Sequence, residues 1–149
     1  MCDACGEVTL RDVERDDISV FFEFQNDPVA VEMAGFPIRI WDAHLSHWSK
    51  ILGDDVNVNQ TVLVDGRVAG SIASFPDGSR REVGYWLGRD YWGRGIATEA
   101  LAAFLTIEKR RPLHAFVATH NGASRRVLEK CGFSLISEES DAYRLELRD

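Results

Sequence analysis

The sequence predicts a single α+β domain built on a mixed, mostly antiparallel sheet flanked by helices. Three observations carry this expectation. Two turn signals, Asp65-Gly66 and Pro76-Asp77-Gly78-Ser79, separate three runs rich in branched and aromatic residues, which reads as an antiparallel meander. The third of these runs, 81–87, leads through a glycine-spaced loop into an amphipathic helix, and a new strand at 113–119 follows. A strand reached through a helical crossover lies parallel to the one that fed it. The runs 133–136 and 143–147 then form a closing antiparallel pair. A length of 149 residues suits one domain and not two, so residues 1–149 are taken together.

In chain order, Val8 and Leu10 alternate with polar neighbours as in a first strand. Asp16 or Asp17 is placed to cap a helix carrying Ile18, Phe21, Phe22 and Phe24, and Asn26-Asp27-Pro28 stops it. Trp41, Leu45, Trp48 and Leu52 have helical spacing within the segment 36–52, the least regular of the chain. Its His44 and His47 stand three apart, as metal ligands on a helix can, but no third ligand accompanies them and the tryptophans favour packing; no metal is expected. Ala97, Ala100, Leu101, Phe104 and Ile107 form the buried stripe of the helix after the glycine loop. A second short helix opens at Asn121, turns Val127, Leu128 and Cys131 inward, and ends on Gly132.

Composition narrows the function. With 45% apolar and 28% charged residues the chain can bury a core, and a net charge of −7 argues against a nucleic-acid partner. The same charge suits a cationic substrate. No apolar run approaches the roughly 18 residues of a membrane span, and Met1-Cys2-Asp3 does not open a signal peptide. The expected location is the cytoplasm, with no membrane partner, as a monomer or homodimer. Three cysteines make no disulfide framework. Cys2 and Cys5 read as two exposed thiols on a mobile terminus, residues 1–5.

The chain is organised around Glu82 to Thr98. A strand that feeds a glycine loop into a helix is a ready anion site: the first helical turn leaves N–H groups unbonded, and the dipole favours negative charge there. Gly93 and Gly95 let the backbone approach an anion closely, and Arg94 adds a charge. The spacing is a broken form of the dinucleotide fingerprint, and the Lys-Ser/Thr pair of a P-loop is missing.

Trp92-Gly93-Arg94-Gly95-Ile96-Ala97 resembles the acyl-CoA-binding motif of the GNAT acetyltransferases, in which Gln or Arg stands three residues before a glycine. Trp92 takes the place of that Gln or Arg. With the preceding Glu-x-Gly-Tyr-Trp-Leu and the following Ala-Thr-Glu-Ala, the stretch is similar to the branch that acetylates ribosomal-protein N-termini, the RimJ/RimL type. The segment from Thr119 to Phe133, with Asn121 and Ser124, resembles the second signature of the family. The resemblance implies acetyl-CoA as cosubstrate and a primary amine as acceptor, foremost a protein or peptide N-terminus. A small amine such as a polyamine or aminoglycoside is the rival acceptor, and a CoA-binding sensor without turnover is the rival class.

The resemblance also assigns residues. Trp92, Gly93, Arg94, Gly95, Ile96, Ala97 and Thr98 hold the pyrophosphate. The backbone of Trp86 and Leu87 pairs with the pantetheine, which Asn121 also contacts. An N–H near Leu87 meets the carbonyl oxygen. Trp41, His44 and Trp48, in the variable wall of the family's acceptor site, are candidate substrate contacts. Many GNAT enzymes carry a tyrosine seven residues after the asparagine to protonate the leaving thiolate; that position is Leu128 here. Ser124 is the substitute, or else an ordinary first-turn serine. Glu82 shares a strand face with Gly84 and Trp86, and is either the route for the amine's proton or a solvated residue balancing Arg80 and Arg81.

Overall fold

A computed structural model of the chain describes residues 7–34 and 40–148. Cys2, Cys5, the terminus 1–5 and positions 36–39 of the variable segment lie outside the described residues. Among these residues the strands are β1 (Val8–Asp12), β2 (Val58–Val64), β3 (Arg67–Asp77), β4 (Arg80–Leu87), β5 (Leu113–Ala118), β6 (Ser134–Glu138) and β7 (Ala142–Leu147). They form a sheet in the order β1-β2-β3-β4-β5-β7-β6. All neighbours are antiparallel except β4 and β5, which are parallel. The helices are α1 (Asp17–Gln25), α2 (Pro28–Ala34), α3 (Trp41–Leu52), α4 (Ile96–Leu105) and α5 (Gly122–Lys130).

The two faces of the sheet are covered differently. Val62, Ile72, Val83 and Leu87 pack with Ile96, Leu101 and Phe104 of α4 and Leu128 of α5 in the main core. A smaller cluster of Ile18, Phe21 and Trp48 lies under α1 and α3. Asp65 and Gly66 adopt φ of 51° and 81°, the left-handed pair that a two-residue hairpin between β2 and β3 requires.

Several local expectations change. Asp16 makes no side-chain cap on α1. Asp17 turns inward instead, accepting from Arg11 at 2.6 and 2.9 Å and from Thr61 Oγ1 at 2.7 Å. Asn26-Asp27-Pro28 does end α1, but the same residues start α2: Pro28 fits a first helical position, and Asp27 Oδ1 accepts from the N–H of Val29 at 3.0 Å. The inward stripe of α3 is His44 and Trp48, with Leu45 and Leu52 exposed. His44 Nε2 lies 2.9 Å from the carbonyl oxygen of Ile18, which turns that face toward α1. Ile107 falls beyond α4 and is exposed, while Ile96 takes the core position at the head of the helix.

Candidate active site

The site begins where the sheet fails to close. β4 and β5 are in register only at Glu82 opposite His114. Gly88 donates to the carbonyl of Ala69 on β3 at 2.9 Å, so by alternation Trp86 also faces β3, whereas Tyr85 and Leu87 aim their backbone groups into the gap. Gly70 confirms the direction, since a Cβ there would lie 2.1 Å from the carbonyl oxygen of Trp86. The backbone edge offered to an extended ligand is therefore that of Tyr85 and Leu87, which corrects the expectation for the Trp86 backbone. Trp86 is still among the residues lining the cleft, and its Nε1 donates to Phe24 O at 3.1 Å. Trp92 folds back so that its Nε1 donates to Leu87 O at 3.1 Å.

Beside this gap lies a cleft of about 410 Å³. One end is the glycine loop, where Gly93 and Gly95 have φ of 72° and 76° and a Cβ on either would meet nothing within 4 Å. Gly95 is the left-handed N-cap of α4, so the N–H groups of Ile96, Ala97 and Thr98 open toward the cleft they line. This bare, donor-lined cradle fits a pyrophosphate. Arg126 and Lys130 of α5 line the same cleft and supply the charge. Arg94 does not line it; its Nη1 donates to Asp90 O at 3.5 Å, and its guanidinium lies 5.7 Å from the Tyr91 ring centroid.

Across the gap, Asn121 Oδ1 accepts from Ser124 N at 3.2 Å and caps α5. Ser124 Oγ lies 2.6 Å from Tyr85 Oη, and both residues line the cleft. Burial pushes the Tyr85 phenol up to about 12, against the opposing effect of its bond to Ser124.

Glu82 is not brought into the cleft. It is 4% exposed, and Arg144 Nη1 donates to its Oε2 at 3.2 Å. It is thus neither solvated nor balanced by Arg80 and Arg81; Arg81 bonds on the opposite face to Ser74 Oγ, Val56 O and Glu108. Trp41, His44 and Trp48 also lie away from the cleft lining. His44 and Trp48 are buried in the packing of α3 on α1, and the Trp41 ring stands edge-on to Phe22 at 5.2 Å. Among the described residues no group of three or more His, Cys, Asp or Glu side chains could hold a metal, and no helix is long and apolar enough to cross a membrane.

Sequence reasoning missed Tyr85, Arg126 and Lys130, together with Ala30 and Met33, which α2 contributes to the cleft. His120 Nε2 donates to Glu32 O at 3.0 Å and ties the end of α2 to the loop before α5. Period 2 along β4 could have put Tyr85 on the α5 side. The two cations carried a signal as well, standing four apart on one face of a helix.

Residues 7–134 match the family model described as "Acetyltransferase (GNAT) domain". Among curated proteins no sequence matches significantly. Solved structures with the same fold include spermidine N-acetyltransferase from Vibrio cholerae, in complex with CoA and spermine, at 19% identity and TM-score 0.81, covering 95% of each chain. RimL, a ribosomal L7/L12 alpha-N-protein acetyltransferase in complex with coenzyme A, superposes at 15% identity and TM-score 0.80, covering 95% of this chain and 93% of that one. PseH, an N-acetyltransferase of Campylobacter jejuni in complex with acetyl coenzyme A, does so at 16% identity and 0.71, over 96% and 99%.

Proposed function

This chain belongs to the GNAT acetyltransferase family, and on that premise we propose that it acetylates the α-amine of a protein or peptide N-terminus. It is an acyltransferase that takes its acetyl group from acetyl-CoA. The observation that carries the choice of acceptor is the chemistry of the cleft wall. Among the described residues that wall holds no carboxylate and no imidazole, while it does hold Arg126 and Lys130. A lysine or polyamine amine, with a pKa of ~10.4, is almost wholly protonated at neutral pH and needs a base. An α-amine near ~8 is neutral about a tenth of the time and can lose its proton to water. The likeness of Glu82 to Thr98 to the RimJ/RimL branch supports the same acceptor.

In this reading the loop at Trp92–Thr98, Arg126 and Lys130 hold the phosphates. Tyr85 pairs its gap-facing backbone groups with the pantetheine amides, as a sheet edge pairs with an added strand, while Leu87 offers its N–H, its carbonyl being held by Trp92 Nε1 at 3.1 Å. A backbone N–H near Leu87 meets the carbonyl oxygen as charge gathers there. Ser124 faces the departing thiolate, Asn121 fixes the turn that holds Ser124, and Glu82 serves the ion pair with Arg144. The test is a panel of N-terminal peptides, polyamines and aminoglycosides with acetyl-CoA, read by mass spectrometry. Peptide α-acetylation is expected at the highest rate. Preferred acetylation of a polyamine would move the acceptor to small amines, and tight binding with no transfer would make the domain a sensor.

A further inference from the structure

The family's tyrosine is missing from α5, and the structure supplies a phenol from the opposite wall. Leu128, at the place of that tyrosine, is 1% exposed and packs in the core. Tyr85 reaches across from β4 and sets its Oη 2.6 Å from Ser124 Oγ, inside the cleft. Its alternative acceptor, Ser124 O, is 3.4 Å away. The Asn121 cap fixes the Ser124 backbone N–H at 3.2 Å, and Tyr85 meets the serine hydroxyl itself, so backbone and side chain are each held.

We propose that Tyr85 is the positioning residue for Ser124: its hydroxyl donates to Ser124 Oγ and leaves the serine's own hydrogen to point into the cleft at the departing sulfur. A phenol is the stronger acid of the two hydroxyls, so it is the donor of the pair. Burial raises Tyr85 further and keeps its proton in place through the neutral range. Two hydroxyls in series polarise one another, which strengthens the terminal donor.

The inference rests on the acetyl-transfer reading above. In the step concerned, the bond from the amine nitrogen to the acetyl carbon has formed and the carbon–sulfur bond breaks. Its electron pair passes to sulfur, the thiolate leaves as an anion, and the extra proton on nitrogen goes to water. Tyr85 and Ser124 keep their protons throughout. A thiol of pKa ~8.5 is a stronger acid than either hydroxyl, so outright transfer would run uphill, whereas hydrogen bonds to the growing charge do not.

The test is single-turnover acetyl transfer by Tyr85→Phe, Ser124→Ala and the double variant. Each is run with acetyl-CoA and with the selenium analogue of that ester, whose selenolate is the weaker base. Tyr85→Phe is expected to slow transfer by about 2- to 10-fold, the range for a single neutral hydrogen bond, because its hydroxyl meets Ser124 and not the charged sulfur. Acetyl-CoA affinity by calorimetry should stay unchanged. The double variant should be no slower than Ser124→Ala, and every deficit should shrink with the selenium ester. Normal transfer by Tyr85→Phe, multiplying deficits in the double variant, or equal deficits with both esters would overturn the proposal. Absence of transfer by the parent enzyme to any amine would instead overturn the acetyl-transfer reading.

Discussion

β4 is one strand with two unlike ends. At its start, side chains on both faces are tied into ion pairs: Arg81 to Glu108 at 3.4 Å on one face, Glu82 to Arg144 at 3.2 Å on the other. The Arg144 guanidinium also lies 3.7 Å from the Phe116 ring centroid, and β5 pairs alongside at His114. At its end, Tyr85 and Leu87 have no β5 partner, and the nearest polar groups belong to Trp92 and Ser124. The closed end is held by side-chain charge, and the open end offers backbone to a ligand. Closure at Glu82 is what allows the strands to part beyond it without the sheet coming apart. A carboxylate on β4 is therefore not by itself a catalytic base.

The largest effect should come from breaking the closed end. Glu82→Ala leaves the buried cation of Arg144, itself 7% exposed, without its partner. Losing one member of a buried pair costs about 3–5 kcal/mol, or roughly 10 °C in Tm for a domain of this size. Urea and thermal unfolding measure it, and a stability equal to the parent's would show that the pair holds nothing. Glu82→Gln keeps an acceptor and tests the other role: if Glu82 led the amine's proton away, turnover would fall by about 10²- to 10⁴-fold. We expect a near-normal rate across pH instead.

Next in size is an insult to the open end. Gly95→Val puts a β-branched residue at φ of 76°, a strain of about 1–3 kcal/mol. Relief of that strain turns the N–H groups of the loop away from the phosphates. Acetyl-CoA affinity should fall on the order of 100-fold, near 2.7 kcal/mol. The fold should survive, because a Cβ there meets nothing within 4 Å. Calorimetry on the folded variant decides, and unchanged affinity would remove the cradle from the cofactor site.

These two ends differ in how far the sequence disclosed them. The open end was legible because its signals are local: the glycine spacing, the helix that follows, and the Asn121 cap all lie within a few residues of what they fix. The closed end was not. Period 2 assigns Glu82 a face, but its ion-pair partner Arg144 comes from β7, far along the chain. The divergence of β4 from β5 is likewise a relation between strands, written in neither. Pro28 was ambiguous for a local reason, since the same residue stops one helix and starts another. His44 was a candidate substrate contact only because the resemblance puts its segment in the variable wall of the acceptor site, while its tryptophan neighbours pointed to packing. Its bond to Ile18 O, together with the rings of Phe22 and Trp48 at 5.2 and 6.4 Å, makes it a core residue.

Acid should loosen the closed end, with a smaller effect. Burial pushes the Glu108 carboxyl up, but Ser74, the Arg110 N–H at 3.0 Å and the Arg110 and Arg81 charges outweigh it and hold it below 4.5. A carboxyl lowered in the folded state contributes stability that is complete above its unfolded value. That contribution is lost as pH falls through the folded value, so the window lies below about pH 4.5. Asp17 follows the same sign: burial raises it, while Arg11, the Glu14 N–H and Thr61 lower it further. Urea stability should therefore decline on acidification below that point, and Glu108→Gln should flatten part of the decline. Amide exchange around Ser74 and Arg81 should rise before that of α4. An acid limb unchanged in Glu108→Gln would place the loss elsewhere.

The smallest effect concerns the residue that departs from the family pattern. Trp92 stands where Gln or Arg is usual, and it contributes two separable things: a ring packed at the edge of the main core, and an N–H donated to Leu87 O at 3.1 Å. The bond pins the last carbonyl of β4, beside the backbone expected to meet the acetyl group. Trp92→Phe keeps most of the ring and loses the donor; Trp92→Gln loses the ring and keeps a donor on a shorter stem. A single neutral hydrogen bond contributes about 0.5–1.5 kcal/mol, whereas a partly buried indole contributes more through area removed from water. The two variants should therefore cross. Gln should be the less stable by thermal unfolding, and Phe should show the weaker acetyl-CoA affinity, by up to about tenfold. If Phe bound as tightly as the parent while Gln lost affinity in step with its stability, the indole would be core packing alone. Leu87 O would then need no pin, and the open end of β4 would be shaped by the parting of the strands rather than by Trp92.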